Sequence, residues 1–264
     1  MTRRIVITSG KGGVGKTTIV SGLGVTLAGM GYKVLLVDMD FGLNNLDVAM
    51  GIENKIVYDI IDVLEGKCLP RQAIVQDFFE SNLYIFPSTH SQCSIRFGTK
   101  ELNCIIAEIE RLFDFILIDC PAGMDGGFRR AVECASEHIV ITTPHLSAVR
   151  DGDKVINAIN MHLHSRPYLI VNRARGDLIV DGEMLSINTI KEYLSAELIG
   201  VLSEDDNVAI QMYNGGRINL HPDTHRSFMM IANNLINGTN KIIDCTKKYK
   251  GFWGGIRKKI KRKV

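Results

Sequence analysis

The sequence contains a glycine-rich segment with two lysines, Gly10-Lys11-Gly12-Gly13-Val14-Gly15-Lys16-Thr17. An apolar, β-branched run at 5–8 precedes it, and helical spacing follows at 17–30. The segment fits G-x-x-x-x-G-K-[ST] in the strand–loop–helix context that this pattern requires. Its glycines let backbone N–H groups turn toward phosphate oxygens, and the N-terminal end of the helix adds positive charge. The segment therefore predicts a phosphate-binding loop.

Each polar residue at the end of this loop has a predicted role. Lys16 can reach the β- and γ-phosphates of a nucleoside triphosphate, and the Thr17 hydroxyl can ligate Mg²⁺. Thr18 can reach the α-phosphate. The sequence thus predicts an ATP site with magnesium as its metal.

Outward from the loop, short apolar runs alternate with longer helical segments. Strands that are apolar on both faces and separated by helices indicate a parallel sheet covered on both sides. We therefore predict an α/β fold of the P-loop NTPase type, with a mostly parallel twisted sheet flanked by helices. The predicted strands are 5–8, 34–38, 83–86, 115–119, 139–142, 168–172 and 198–202.

Ligands of such a sheet bind at the carboxyl ends of the strands, so the residues after each strand are candidates for chemistry. Asp38 and Asp40 follow the second predicted strand, and Asp119 ends the fourth. An aspartate that ends a buried strand beside a phosphate loop is typical of a magnesium-binding carboxylate. We predict Thr17, Asp38 and Asp119 as the metal site.

The end of the chain differs in composition from the rest. Residues 247–264 contain seven Lys, two Arg and no acidic residue, which leaves a net charge of −7 on residues 1–246. Phe252, Trp253, Ile256 and Ile260 fall on one helical face, and basic residues surround them. A basic amphipathic helix with aromatic residues is typical of segments that lie in a membrane interface. We predict two parts, an ATPase domain at 1–246 and a membrane-targeting tail at 247–264.

The composition excludes several classes of protein. The chain has 264 residues, of which 45% are hydrophobic and 23% charged, as expected for a globular protein. It contains no apolar run of the roughly 20 residues that a membrane span needs, and its start does not resemble a signal peptide. The six cysteines show no zinc or cluster spacing. We expect a cytoplasmic protein, peripheral on the cytoplasmic face of the membrane, that binds no nucleic acid.

The lysine at position 11 is not needed to bind one nucleotide, and K-G-G-V-G-K-T-T resembles the deviant Walker A family of ATPases. This resemblance implies that Lys11 contacts the nucleotide of the other subunit in an ATP-bound homodimer and acts with Lys16 in catalysis. It also implies that Asp40 orients the attacking water while Asp38 supports the magnesium shell. Gly123, in D-x-P-A-G, corresponds to the second switch of the family.

The resemblance further implies an adenine pocket built by Asn172, Arg173, Glu204 and Asp205. The family usually carries proline before the acidic pair, where this chain has Ser203.

Together with D-x-D-x-G-L-x-N-L-D and the basic tail, the motifs resemble the branch of this family that determines the division septum. That branch implies ATP-dependent attachment to anionic membranes, a MinC-like septation inhibitor as partner and a MinE-like ATPase activator. In that branch the partner surface includes the helix at 147–153.

Four other interpretations remain open from the sequence. They are a flagellar-number regulator, a chromosome or plasmid partition ATPase, an iron–sulfur carrier of the same superfamily, and a scaffold that binds ATP without hydrolysing it.

Overall fold

The computed structural model describes residues 1–41, 45–88, 97–214, 220–251 and 254–255. Within these ranges the chain forms one sheet of eight strands. The strands are β1 (Arg3–Thr8), β2 (Val34–Asp38), β3 (Val75–Gln76), β4 (Leu83–Phe86), β5 (Phe115–Asp119), β6 (Glu137–Thr142), β7 (Tyr168–Ala174) and β8 (Glu197–Ser203).

The strand order is β3-β4-β2-β5-β1-β6-β7-β8. Every neighbouring pair is parallel except β3 with β4, which is antiparallel. The predicted fold class is confirmed, and each of the seven predicted strands is present. β3 was not predicted, because a two-residue edge strand that ends in Gln76 has too few residues to show a period.

Helices lie in the connections between the parallel strands and after β8. They are α1 (Lys16–Gly29), α2 (Asn45–Met50), α3 (Ile60–Leu64), α4 (Pro70–Ala73), α5 (Thr99–Ile109), α6 (Gly126–Glu133), α7 (Leu146–Leu163), α8 (Gly176–Val180), α9 (Ile187–Tyr193), α10 (Asp206–Asn214) and α11 (Pro222–Asn237). Short 3₁₀ turns lie at Glu53–Lys55, Glu110–Leu112 and Lys247–Tyr249.

The sheet separates two hydrophobic cores. Along β1, Ile5 and Ile7 point into the core that α1 and α11 cover, whereas Val6 points into the core under α5, α6 and α7. Successive side chains of a strand face opposite sides, so strands apolar at every position require helices on both faces. This arrangement holds the carboxyl ends of the strands in fixed positions at one edge.

The chain leaves α11 and returns toward that edge along residues 244–250, here called the tail root. Cys245 and Tyr249 are buried, and the Cys245 carbonyl lies so close to Gly176 that a Cβ at position 176 would come within 2.0 Å of it. Gly176 begins α8, directly after the carboxyl end of β7. The tail root is therefore fixed beside the edge of the sheet that carries the strand ends.

The predicted apolar face of the tail lies outside the described residues, which exclude Phe252, Trp253, Ile256 and Ile260. Among the residues that the structure describes, no helix is both long and apolar enough to cross a membrane.

Candidate nucleotide-binding site

A cavity of about 490 Å³ opens at the carboxyl ends of the strands. The loop between β1 and α1 forms one end, here called the phosphate end. The last residues of β7 and β8 and those just after β8 form the other, here called the base end after the predicted adenine pocket. Its lining residues are Gly12, Gly13, Gly15, Lys16, Thr17, Thr18, Asp40, Asn45, Ala122, Asn172, Arg173, Leu202, Ser203, Glu204, Asp205, Asp206, Val208, Thr224 and Phe228. The structure thus brings the predicted phosphate loop and the predicted base pocket to one site.

The loop takes its shape from glycines at two places where no other residue fits. Gly15 has φ 97°, in the left-handed region, and a Cβ there would lie 2.4 Å from Nδ2 of Asn172. A Cβ at Gly10 would lie 2.2 Å from the backbone oxygen of Asp151 in α7. The loop backbone is therefore pressed against α7 on one side and Asn172 on the other.

The two lysines of the loop point in different directions. Lys16 is 9% exposed, and its Nζ lies 3.3 Å from Oγ of Ser9, at the cavity. Lys11 is exposed, and its Nζ donates to Oγ of Ser147 in α7 at 3.1 Å. Lys11 lines a separate cavity of about 390 Å³, together with Thr143, His145 and Ser147 among others. Lys16 therefore faces the main cavity, whereas Lys11 lies outside it.

Two buried aspartates lie behind the phosphate end. Asp38 and Asp119 end the neighbouring strands β2 and β5 in matching register, and each is 1% exposed. Burial raises the pKa of Asp38 well above its ordinary value, and the charge of Asp119 raises it further. Burial also raises the pKa of Asp119, although the Thr17 hydroxyl and Lys16 oppose that rise. Two adjacent buried carboxylates are electrostatically unfavourable unless a positive charge compensates them.

These residues fit a magnesium ion. The Thr17 hydroxyl donates to Oδ2 of Asp119 at 2.6 Å, while Oδ1 of Asp119 is buried without a hydrogen-bond partner among the described residues. Hydroxyl and carboxylate oxygens are the ligands that Mg²⁺ prefers, usually few in number and completed by phosphate and water. The described residues hold no group of three or more His, Cys, Asp or Glu side chains suited to a metal.

Asp40 lies closer to the solvent. It lines the cavity, and its backbone N–H donates to Oδ1 of Asp38 at 2.9 Å, which fixes the turn after β2. Partial burial raises the pKa of Asp40, and the nearby Lys16 ammonium lowers it. Gly123, with φ 91°, follows the cavity-lining Ala122 in the loop after β5. Asp40, predicted to orient the attacking water, and Gly123, predicted to belong to the second switch, thus both lie at the phosphate end.

The base end is assembled from side chains of distant segments. Asn172 is buried, and its Nδ2 donates to the backbone oxygen of Val14 at 2.8 Å. Arg173, with φ 56°, is exposed and lines both the main cavity and the cavity beside Lys11. Asn172 therefore joins the base end directly to the phosphate loop.

Glu204 and Asp205 follow β8, which reaches Ser203 because Ser203 pairs with Ala174 of β7. The backbone N–H of Glu204 donates to the Ala174 oxygen at 3.3 Å, and Arg175 lies 3.8 Å from the Glu204 carboxylate. Serine in place of the family's proline is thus accommodated by strand pairing.

Sequence reasoning missed the contributions of α10 and α11 to this cavity. Val208, Thr224 and Phe228 line it. They follow no strand and belong to no motif, so only the packing of these helices against the sheet could reveal them.

The fold and the cavity define a P-loop ATPase, and within that class one whose loop carries a second, outward lysine. A family model described as "AAA domain" matches residues 2–169. The septum site-determining protein MinD of Bacillus subtilis is 39% identical over 261 residues, which is 97% of each chain.

Two solved structures are also similar. The MinC:MinD cell division protein complex of Aquifex aeolicus has a TM-score of 0.84 and 36% identity, covering 92% of this chain and 98% of that one. The septum site-determining protein MinD of Pyrococcus horikoshii, complexed with Mg-ADP, has a TM-score of 0.77 and 29% identity, covering 89% and 96%. The chain belongs to the MinD family of septum site-determining ATPases, and the predicted enzyme class is confirmed.

Proposed function

We propose that this MinD-type ATPase cycles between the cytoplasm and the cytoplasmic face of the membrane. ATP, with Mg²⁺, is its substrate. In the proposed cycle, ATP drives homodimerisation, the dimer attaches to anionic lipid through its tails, and a MinC-like septation inhibitor is recruited to place the division site. A MinE-like activator then stimulates hydrolysis, which separates the dimer and releases it.

The observation that carries the proposal is the position of Lys11. Its ammonium lies outside the nucleotide cavity of its own chain, exposed beside α7. A second subunit facing this edge of the sheet would receive that ammonium at its own phosphates. There Lys11 would stabilise the charge of the transferring phosphoryl group, as an arginine finger does in other P-loop enzymes.

Within each subunit the described residues divide the chemistry. Lys16 neutralises the β- and γ-phosphates, and Asp40 orients the attacking water from the open side of the cavity. When bound, Mg²⁺ supplies further neutralisation of phosphate charge, and Thr17, Asp38 and Asp119 would hold it. Gly123 offers a backbone N–H to the γ-phosphate, so its loop can respond to hydrolysis.

The tail converts dimerisation into membrane attachment. One short basic amphipathic segment binds lipid marginally, whereas two on one dimer make the second contact intramolecular and raise avidity by about 10²–10⁴. The tail root is fixed beside the same edge of the sheet as the nucleotide cavity. A dimer formed across that edge would hold its two tails close together.

The surface around Lys11 also suits a protein partner. Leu146, at the start of α7, is 53% exposed and precedes Ser147, the hydrogen-bond partner of Lys11. Dimerisation that moved Lys11 would therefore change the surface of α7. In the solved Aquifex aeolicus complex, MinD is bound to MinC. We assign a MinC-like partner to the α7 surface of this chain.

Vesicle sedimentation of the full chain tests the proposal. With anionic vesicles and a non-hydrolysable ATP analogue, we expect the protein to sediment, and with ADP we expect it to stay in the supernatant. A chain ending at Gly251, which keeps the buried Tyr249 and removes the apolar face, should bind ATP with unchanged affinity and no longer sediment. Trp253→Ala, which keeps all nine positive charges of the tail, should also weaken sedimentation, since the apolar face is needed.

Equal sedimentation with ATP and ADP would refute the nucleotide switch. A strictly monomeric elution profile with the non-hydrolysable analogue would refute the role of Lys11 across the interface. Undiminished sedimentation of the Trp253→Ala protein would leave charge alone as the basis of lipid binding.

A further inference from the structure

Asp205, at the base end of the cavity, has both carboxylate oxygens engaged. Oδ1 accepts a hydrogen bond from the backbone N–H of Asn207 at 3.0 Å, at the start of α10. Oδ2 accepts one from the hydroxyl of Thr224 in α11 at 2.5 Å. Because the two donors come from different helices, they fix the plane of the carboxylate.

Thr224 is itself held in place by the packing of α11. Phe228, one turn further along, is fully buried and lines the same cavity. Thr224 lines both the nucleotide cavity and a second cavity of about 760 Å³. The tail root forms part of the lining of that second cavity. The hydroxyl that engages Asp205 therefore projects from α11, which the buried Phe228 anchors on the sheet.

The chemistry of the two purines makes this arrangement selective. Adenine presents an N6 amine as donor, whereas guanine presents O6 as an acceptor and its N1–H and N2 amine as adjacent donors. A carboxylate that is free to turn can accept from two adjacent donors at once, and such paired, charge-assisted bonds are strong. A carboxylate held by Asn207 and Thr224 is not free to turn, so it meets a bound base only in the orientation that these two donors fix.

We propose that Thr224 is a specificity-determining residue, which favours ATP over GTP by holding Asp205 in an orientation that cannot pair with guanine. It is a positioning residue, since it acts through Asp205 and not on the base. The inference rests on the proposed assignment of Asn172 and Asp205 to the base end. Asn172 agrees with it, because its Nδ2 is used by Val14 and its amide oxygen remains as an acceptor.

The test compares Thr224→Val with Thr224→Ser in the full chain. Valine keeps the size of threonine and removes the hydroxyl, whereas serine keeps the hydroxyl. We expect Thr224→Val to lower the ratio of Kd for GTP to Kd for ATP by about tenfold, mainly through tighter GTP binding. Thr224→Ser should keep the ratio within about twofold of the parent value. Thermal unfolding of each variant reports any purely structural effect.

A second variant isolates the carboxylate. In the double variant Thr224→Val with Asp205→Asn, the gain in GTP affinity should disappear, since an amide lacks the second acceptor oxygen. An unchanged ratio in Thr224→Val, equal weakening of both nucleotides, or a parent protein that does not discriminate between them would overturn the inference. The vesicle experiment is independent of this ratio, so failure of the membrane cycle and failure of this inference are distinguishable.

Discussion

The two ends of the nucleotide cavity are built in different ways. Most of the phosphate end is one continuous segment, residues 10–17, to which Asp40 and the loop at Gly123 are added from other strand ends. The base end joins side chains of three distant segments, through hydrogen bonds such as Asn172 to Val14 and Thr224 to Asp205. Under the proposed function this difference separates two tasks: the phosphate end would neutralise charge on any nucleoside triphosphate, and the base end would select among them.

The largest expected effect is at the phosphate end. Lys16→Ala should lower kcat/KM for ATP by about 10³-fold, because it removes the buried cation that faces the transferring phosphate. The affinity for ATP and the affinity for GTP should fall by equal factors, since the lysine does not contact the base. Lys33→Ala, at an exposed lysine, is the matched control and should leave both unchanged. A change in the ATP to GTP ratio would show that the two ends are not independent.

A smaller effect is expected at the open side of the phosphate end. Asp40→Asn should lower the rate of ATP hydrolysis by about 10²-fold, since the neutral amide has one acceptor oxygen fewer and orients the attacking water less well. ATP affinity should stay within about threefold of the parent value, because Asp40 does not hold the phosphates. Single-turnover hydrolysis and equilibrium binding measure the two quantities separately. Full activity of the Asp40→Asn protein would show that another group orients the attacking water.

The smallest effect is expected at the base end. Asn172→Ala should weaken ATP binding by about tenfold through loss of one buried hydrogen-bonding group, with little change in GTP binding. Asn188→Ala, at an exposed asparagine of α9, is the control for the same substitution elsewhere. Titration with each nucleotide gives both affinities. Equal losses for ATP and GTP would mean that Asn172 only supports the loop at Gly15.

The same contrast explains which features could be read from the sequence. The phosphate loop was predictable because its parts are contiguous and its glycines are required by backbone geometry. Asp38 and Asp119 were predictable because each ends an apolar strand, and parallel strands bring their carboxyl ends together. The clustering of Asn172 with Glu204 and Asp205 follows from the same rule.

Other features depend on contacts that no local pattern specifies. Thr224 reaches Asp205 only because α11 packs on the sheet with Phe228 beneath the cavity. The contact of Gly10 with Asp151 joins two segments more than a hundred residues apart. β3 is too short to show a period, and its pairing with β4 comes from the hairpin that precedes β4. These are properties of the packed chain.

The Cys245 carbonyl packs closely against Gly176. This contact limits the distance between the protein surface and a bilayer that binds the tail. Tyr249 is buried, and Phe252 follows three residues later, a stretch of chain that spans at most about 11 Å. A bilayer that takes up Phe252 must therefore approach the protein surface almost to contact. In the proposed membrane cycle, the packed tail root at 244–250 would therefore set the orientation of the bound protein as well as its affinity.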